Sequence, residues 1–88
     1  MAYRIEITPE GQRHLNRLPA KVRAAVFEAI FGTIAEKPQR AGEPLRGELE
    51  GLHSARRGDF RIVYEIDARA RVVLIHRAQH RRTIYRPR

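Results

Sequence analysis

The segment LHSARRGDFRIVYEI, residues 52–66, decides the fold. In its second half an apolar side chain stands at every second position, which is typical of a strand with one buried face. One face of an extended chain carries Ile62, Tyr64 and Ile66, and the other carries Arg61, Val63 and Glu65. The pair Gly58-Asp59 is typical of a tight turn. The segment therefore predicts a β-hairpin of strands 52–57 and 60–66.

Two further strands flank this hairpin. Downstream, residues 67–70 (DARA) predict a turn, and residues 71–77 (RVVLIHR) form a nearly continuous apolar run typical of a central strand. At the N-terminus, residues 3–7 (YRIEI) alternate with a period of two, which predicts the first strand.

Two helices are predicted between the first strand and the hairpin. Thr8 is a good N-cap and Pro9 suits the first helical position, so the first helix should run to about Leu18. Pro19 separates it from a longer helix that ends at Pro38. The longer helix has an apolar stripe at spacings of three and four, formed by Val22, Val26, Ala29, Ile30, Thr33 and Ile34.

Residues 37–51 collect proline and glycine and are predicted to be a connecting loop. The expected fold class is therefore α+β: an N-terminal strand, a helical hairpin and then an antiparallel sheet, in the order β-α-α-β-β-β with a basic C-terminal tail. A chain of 88 residues has room for one core, so we expect a single domain spanning residues 1–88.

Charge is the strongest compositional signal. The chain has 18 Lys and Arg against 10 Asp and Glu, a net charge of +8, and no acidic residue after Asp67. Such a one-signed field indicates a polyanionic partner, and arginine grips phosphate with two parallel hydrogen bonds. A GC-rich genome is an alternative source of the arginine preference. Cysteine, a signal segment and a long apolar run are all missing from the sequence, so we expect a cytoplasmic protein.

Several runs then resemble one family. PLRG at residues 44–47, GLHSARRGDFRIVYEI at 51–66, HRR at 80–82 and IY at 84–85 are similar to the RelE/ParE toxin superfamily, whose pattern reads roughly P-L-x-G, G-L-x-x-x-R-x-G-D-Y-R-V-x-Y-x-I and H-R-x-x-V-Y. The resemblance covers nearly the whole chain and implies the toxin of a type II toxin–antitoxin system, held inactive by a cognate antitoxin protein.

The branches of this superfamily differ in target. RelE-like and YoeB-like members are ribosome-dependent endoribonucleases that cut mRNA in the A site, whereas ParE-like members poison DNA gyrase. We favour a RelE-like mRNA interferase acting with the ribosome, with a ParE-like gyrase inhibitor as the alternative. A non-catalytic RNA- or DNA-binding protein is a third interpretation, for which the basic tail would suffice.

The resemblance also implies site residues. The catalytic candidates are Arg61, Arg81, Tyr85, His80 and Glu43, and the candidates for binding RNA phosphate are Arg56, Arg57 and Arg82. Cleavage activates the ribose 2′-OH against the adjacent phosphate, which requires a base, donors for the phosphate charge and an acid, but no metal ion or cofactor.

Each of these candidates has a side chain suited to one step of the cleavage. Arg56 and Arg61 would clamp the phosphate, Arg81 would stabilise the leaving-group side, and Tyr85 would lie by the 2′-OH or stack on a base. Glu43 matches a general base of YoeB-like toxins, and His80 lies near the place of their acid.

Other interpretations remain for the five catalytic candidates and for Arg82. Arg61 would then be solvated or paired with Glu65, and one of the two arginines at 81 and 82 would be a solvated charge. Tyr85 would be a core aromatic residue, the glutamate would be solvated, and the histidine would only contact RNA.

The sequence also departs from the family pattern. Ser54 stands where many RelE-like toxins carry lysine or arginine, and Gln79 replaces the usual glycine before His-Arg. The remaining histidines, His14, His53 and His76, lack the spacing of a metal site, so we expect structural roles for them.

Overall fold

A computed structural model describes residues 2–84 of the chain. The strands are β1 (Arg4–Ile7), β2 (Glu43–Pro44), β3 (Leu52–Arg57), β4 (Phe60–Asp67) and β5 (Val72–His80). The helices are α1 (Pro9–Arg17), α2 (Ala20–Ala29) and α3 (Pro38–Ala41), with a π-helical turn at Ile30–Ile34 and a 3₁₀ turn at Gly47–Leu49. The predicted α+β class is confirmed.

The five strands form one mixed sheet in the order β1-β5-β4-β3-β2. β1 runs parallel to β5, while the pairs β2–β3, β3–β4 and β4–β5 are antiparallel. The predicted hairpin is present, and Gly58 adopts a φ of 59° in its turn, a left-handed conformation that glycine reaches without a steric penalty.

Three differences from the prediction exceed a shift of one residue. Residues 37–51 are not a simple loop, because α3 and the two-residue strand β2 form within them. The second helix passes into the π-helical turn before it reaches Pro38. β5 continues to His80 rather than ending at residue 77, because its last residues pair with the start of β4, where Phe60 faces His80.

The helices cover one face of the sheet, which we call the helix face. Leu15 of α1, Val26 of α2 and the π-turn residues Ile30 and Ile34 share one buried cluster with strand residues, which include Ala55, Ile62, Tyr64, Val73, Ile75 and Ala78. Removing these apolar side chains from water is the main stabilising contribution to the fold.

Strand residues that alternate with this cluster point to the opposite face, which we call the second face: Leu52, Ser54, Arg56, Arg61, Val63, Glu65, Leu74, Arg77 and Gln79. Within residues 2–84, no helix is long and apolar enough to cross a membrane.

Candidate active site

A cleft of about 560 Å³ opens at the β2 edge of the sheet. It is lined by Arg40, Ala41, Gly42, Glu43, Pro44, Leu45, Ser54, Arg56 and Arg61. Three of the residues predicted from the sequence, Glu43, Arg56 and Arg61, therefore lie at one cavity although they come from three different strands.

Arg56 and Arg61 are direct cross-strand partners in the β3–β4 hairpin. Residues opposite each other in an antiparallel pair have Cβ atoms roughly 5 Å apart and share a face, so both guanidinium groups project from the second face. The Nη1 atom of Arg61 donates to the carbonyl oxygens of Phe60 at 3.2 Å and Gly58 at 3.4 Å.

Neither arginine belongs to an ion pair within residues 2–84. The predicted alternative that Arg61 pairs with Glu65 is not seen, since Glu65 lies 3.1 Å from Nε2 of His76 instead. Two guanidinium groups on one cavity, neither of them in an ion pair, can bind an anion.

Glu43 adds a carboxylate to the same cavity. It is exposed in β2 and pairs with Ser54 of β3, which stands two residues from Arg56 on the same face. A carboxylate beside two guanidinium groups can accept a proton from a hydroxyl while the arginines hold the neighbouring phosphate.

His80 is not brought into the cleft. It pairs with Phe60, and the two rings meet edge-to-face with centroids 5.4 Å apart on the helix face. Gln79, the residue opposite Arg61, shares the arginines' face instead. Nδ1 of His80 accepts a hydrogen bond from the backbone N–H of Arg82 at 3.1 Å.

The other predicted phosphate ligands are also separated from the cleft. Arg57 alternates with Arg56, projects from the helix face and forms an ion pair with Glu28 of α2. Arg81 and Arg82 are exposed in the turn after β5, which the backbone N–H of Arg81 ties to the carbonyl oxygen of Asp59 at 2.8 Å. Tyr85 lies outside the described residues.

Two arginines were missed by the sequence reasoning. Arg40 lines the cleft from α3, a helix that the proline- and glycine-rich composition concealed. Arg77 projects from the second face, and its Nη1 atom donates to the carbonyl oxygen of Ile84 at 2.7 Å. Ile84 is fully buried, so Arg77 holds the turn of residues 81–84 against the sheet.

Two titratable groups under the cleft have shifted pKa values. Burial raises the pKa of Tyr64 to about 12, because the ionised phenolate would lose hydration. Burial lowers the pKa of His53 for the matching reason, since it disfavours the imidazolium cation. The rings of these cross-strand partners stack with centroids 5.7 Å apart. Among residues 2–84 there is no group of three His, Cys, Asp or Glu side chains arranged to hold a metal ion.

The chain matches one protein family and is similar to two known toxins. The model of a family described as the ParE toxin of the type II toxin–antitoxin system, parDE, matches residues 5–85. Toxin RelE of Mycobacterium tuberculosis (strain ATCC 25618 / H37Rv) is 53% identical over 78 residues, which are 88% of this chain and 80% of that protein. Toxin RelG of the same organism is 45% identical over 86 residues, which are 98% and 99% of the two chains.

The fold is also similar to that of a solved toxin–antitoxin complex. One chain in the crystal structure of the toxin–antitoxin complex RelBE2 from Mycobacterium tuberculosis has a TM-score of 0.87 and 42% identity, covering 91% of this chain and 99% of that chain. Since the family match spans nearly the whole sequence and relatives above 40% identity share its length, this chain belongs to the ParE-toxin family of type II toxin–antitoxin systems, within the RelE/ParE superfamily.

Proposed function

We propose that this toxin is a metal-independent endoribonuclease that cuts mRNA on the translating ribosome in the cytoplasm. The observation that carries the proposal is the convergence of Glu43 with Arg56 and Arg61 on one cleft. The names RelE and RelG of the two M. tuberculosis relatives favour the same branch.

The proposed reaction is attack of a ribose 2′-OH on the adjacent phosphate. Glu43 accepts the hydroxyl proton while the 2′ oxygen forms a bond to phosphorus, and the bond from phosphorus to the 5′ oxygen breaks. Arg56 and Arg61 hold the non-bridging oxygens as negative charge develops. The departing 5′ oxygen takes up a proton from water, and the products are a 2′,3′-cyclic phosphate and a 5′-hydroxyl.

The remaining sequence candidates keep smaller roles in this proposal. His80 points away from the cleft, so we assign it to holding the turn that carries Arg81 and Arg82. Those arginines and Tyr85 are proposed to contact RNA beyond the scissile phosphate.

We further propose that a cognate antitoxin neutralises the toxin. The RelBE2 structure is a complex of toxin and antitoxin, and the net charge of +8 on this chain favours a partner with an acidic segment. Such a segment laid over Arg56 and Arg61 would occupy the positions that RNA phosphate needs.

A gyrase inhibitor is the second candidate function, because the matching family model is named for ParE toxins. A toxin of that kind needs a binding surface but no general base. Glu43 therefore separates the two functions, since only the ribonuclease depends on its carboxylate.

The deciding experiment is primer extension on mRNA in a translating extract, with plasmid DNA and gyrase assayed in parallel. We expect internal mRNA cuts with the wild-type toxin, and Glu43→Gln should cut at least about 100-fold more slowly, the scale of general-base catalysis. Glu36→Gln, which changes an exposed glutamate outside the cleft lining, is the matched control and should cut normally. Intact mRNA together with cleaved DNA would overturn the ribonuclease in favour of the gyrase inhibitor.

A further inference from the structure

A buried tyrosine lies behind the cleft. Tyr64 is fully buried on the helix face of β4, and its hydroxyl donates to the carbonyl oxygen of Pro38 at 2.7 Å. Pro38 is itself buried and begins α3. This hydrogen bond therefore joins the central sheet to the start of the segment that forms one wall of the cleft.

Gly42 fixes the other end of the same segment. A Cβ atom at this position would lie 2.6 Å from the carbonyl oxygen of Ser54 and 2.7 Å from the hydroxyl oxygen of Tyr64. Its φ of −140° is accessible to any residue, so glycine is required here for space and not for conformation. The backbone at Gly42 thus packs directly against β3 and against the tyrosine hydroxyl.

The residues between and after these two contacts supply the cleft. Arg40 lies between them and Glu43 follows Gly42 directly. β2 has only two residues, paired with His53 and Ser54, so its own ladder provides few bonds to hold it. On its C-terminal side the segment is held by the backbone N–H of Leu45, which donates to the carbonyl oxygen of Leu52 at 2.8 Å. On its N-terminal side the position of Glu43 depends on what anchors residues 38–42.

We propose that Tyr64 is a positioning residue for the active site. Its hydroxyl and the close packing of Gly42 hold α3 and β2 so that Glu43 faces Arg61. β4 then organises both halves of the site: Arg61 projects from its second face, and Tyr64, three residues later, anchors the opposite wall from its helix face. This inference rests on the proposed ribonuclease function.

The test is Tyr64→Phe, which keeps the ring and removes the hydroxyl. Cleavage of mRNA on programmed ribosomes should slow by roughly tenfold to a hundredfold at saturating ribosomes, the scale expected for a misplaced catalytic group. The half-saturating concentration should stay within about twofold, because Arg56 and Arg61 are unchanged. Amide hydrogen exchange in residues 38–45 should accelerate, since the anchor is lost.

Two comparisons separate positioning from a general loss of stability. Val73→Ala removes buried volume near the start of β5, away from the cleft lining, so it should lower the melting temperature while leaving the saturated rate and the exchange of residues 38–45 unchanged. In a double mutant with Glu43→Gln, Tyr64→Phe should cause no further slowing, because the group it positions is already gone.

Each contrary outcome is decisive. Unchanged exchange in Tyr64→Phe overturns the anchor whatever the cleavage rate. Accelerated exchange with a wild-type rate overturns the positioning role, and full additivity with Glu43→Gln shows that Tyr64 does not act through that carboxylate. If the wild-type toxin cuts no mRNA, the ribonuclease and the catalytic part of this inference both fail, while exchange still decides whether the anchor exists.

Discussion

Arg61 is oriented without being neutralised. Its guanidinium donates to the backbone carbonyl oxygens of Gly58 and Phe60, whereas Arg57 is paired with the carboxylate of Glu28. Carbonyl acceptors fix a planar group but leave its full positive charge for a ligand, while a carboxylate partner competes with the ligand. Position in the hairpin therefore leaves the charge of Arg61 available to an anion, whereas that of Arg57 is paired with Glu28.

Arg61→Ala should slow mRNA cleavage by about two to three orders of magnitude, because one preorganised donor to the transition-state charge is lost. Arg61→Lys should recover only part of this loss, since lysine keeps the charge but not the two-pronged geometry. The control is Arg69→Ala, an exposed arginine in the turn between β4 and β5, which should cut normally. A folded Arg61→Ala toxin that cuts at the wild-type rate would contradict the assignment of Arg61 to the phosphate.

The two adjacent arginines of β3 test whether only the second face of the sheet contributes to cleavage. Arg56 lines the cleft on the second face, and Arg57 projects from the helix face. We predict that Arg56→Ala slows cleavage at least about tenfold, whereas Arg57→Ala stays within about threefold of wild type, because an exposed ion pair contributes little. Cleavage rates at saturating ribosomes measure this difference. Equal losses in the two variants would show that RNA also reaches the helix face.

His53 of β3, which stacks on Tyr64 of β4, should make the stability of the fold depend on pH. Burial lowers the pKa of His53 in the folded state, so the unfolded chain binds a proton more readily and stability falls as pH drops below about 6.5. Above that pH both states hold neutral imidazole and the effect vanishes. Urea unfolding at pH 7.5 and pH 5.0 should show a larger loss of unfolding free energy in the wild type than in His53→Phe, which keeps a ring stacked on Tyr64. An equal loss would exclude His53 as a source of the pH dependence.

Patterns within a short stretch of sequence were enough to predict the hairpin strands and the first helix. The hairpin strands and the first helix follow from alternation, a tight turn and a cap, and the Oγ1 atom of Thr8 does accept the backbone N–H of Gly11 at 2.9 Å. β2 and α3 were not predictable in this way, because a two-residue strand has no period and α3 is anchored by Tyr64, 26 residues further along the chain. The parallel pairing of β1 with β5 is likewise a contact between distant segments.

Pairing between strands, which local patterns do not reveal, also decides which of the predicted site residues meet. Of the catalytic candidates, Glu43 and Arg61 lie at the cleft together with Arg56, but His80 does not. A bulge in the β4–β5 ladder pairs Tyr64 with Ile75 and Val63 with Arg77, so one residue of β5 is extra. Uninterrupted alternation from Ile75 would have placed His80 on the second face, and the extra residue moves it to the helix face.

Charge is unevenly distributed across the second face of the sheet. The end near β2 carries Arg56 and Arg61, while the charged residues that line a groove of about 290 Å³ at the other end are Glu6, Glu65, Asp67 and Arg4. The net charge of +8 therefore does not describe a uniform surface. In the proposed function, this distribution would attract an RNA strand to the arginine end and repel it from the three carboxylates, which outnumber Arg4 at the other end.

This distribution predicts which arginines set the salt dependence of RNA binding. Binding of a 2′-O-methyl RNA oligonucleotide, which lacks the attacking hydroxyl, should weaken linearly as log[KCl] rises, because phosphate contacts release counterions. Arg56→Ala and Arg61→Ala should each lower the slope by about 0.7, the value for one phosphate of a single strand, whereas Arg69→Ala should leave it unchanged. Fluorescence anisotropy between about 50 and 300 mM KCl measures the slopes. If both cleft variants kept the wild-type slope, the RNA phosphates would lie elsewhere on the molecule, and the cleft would lose its role as the site where RNA is held.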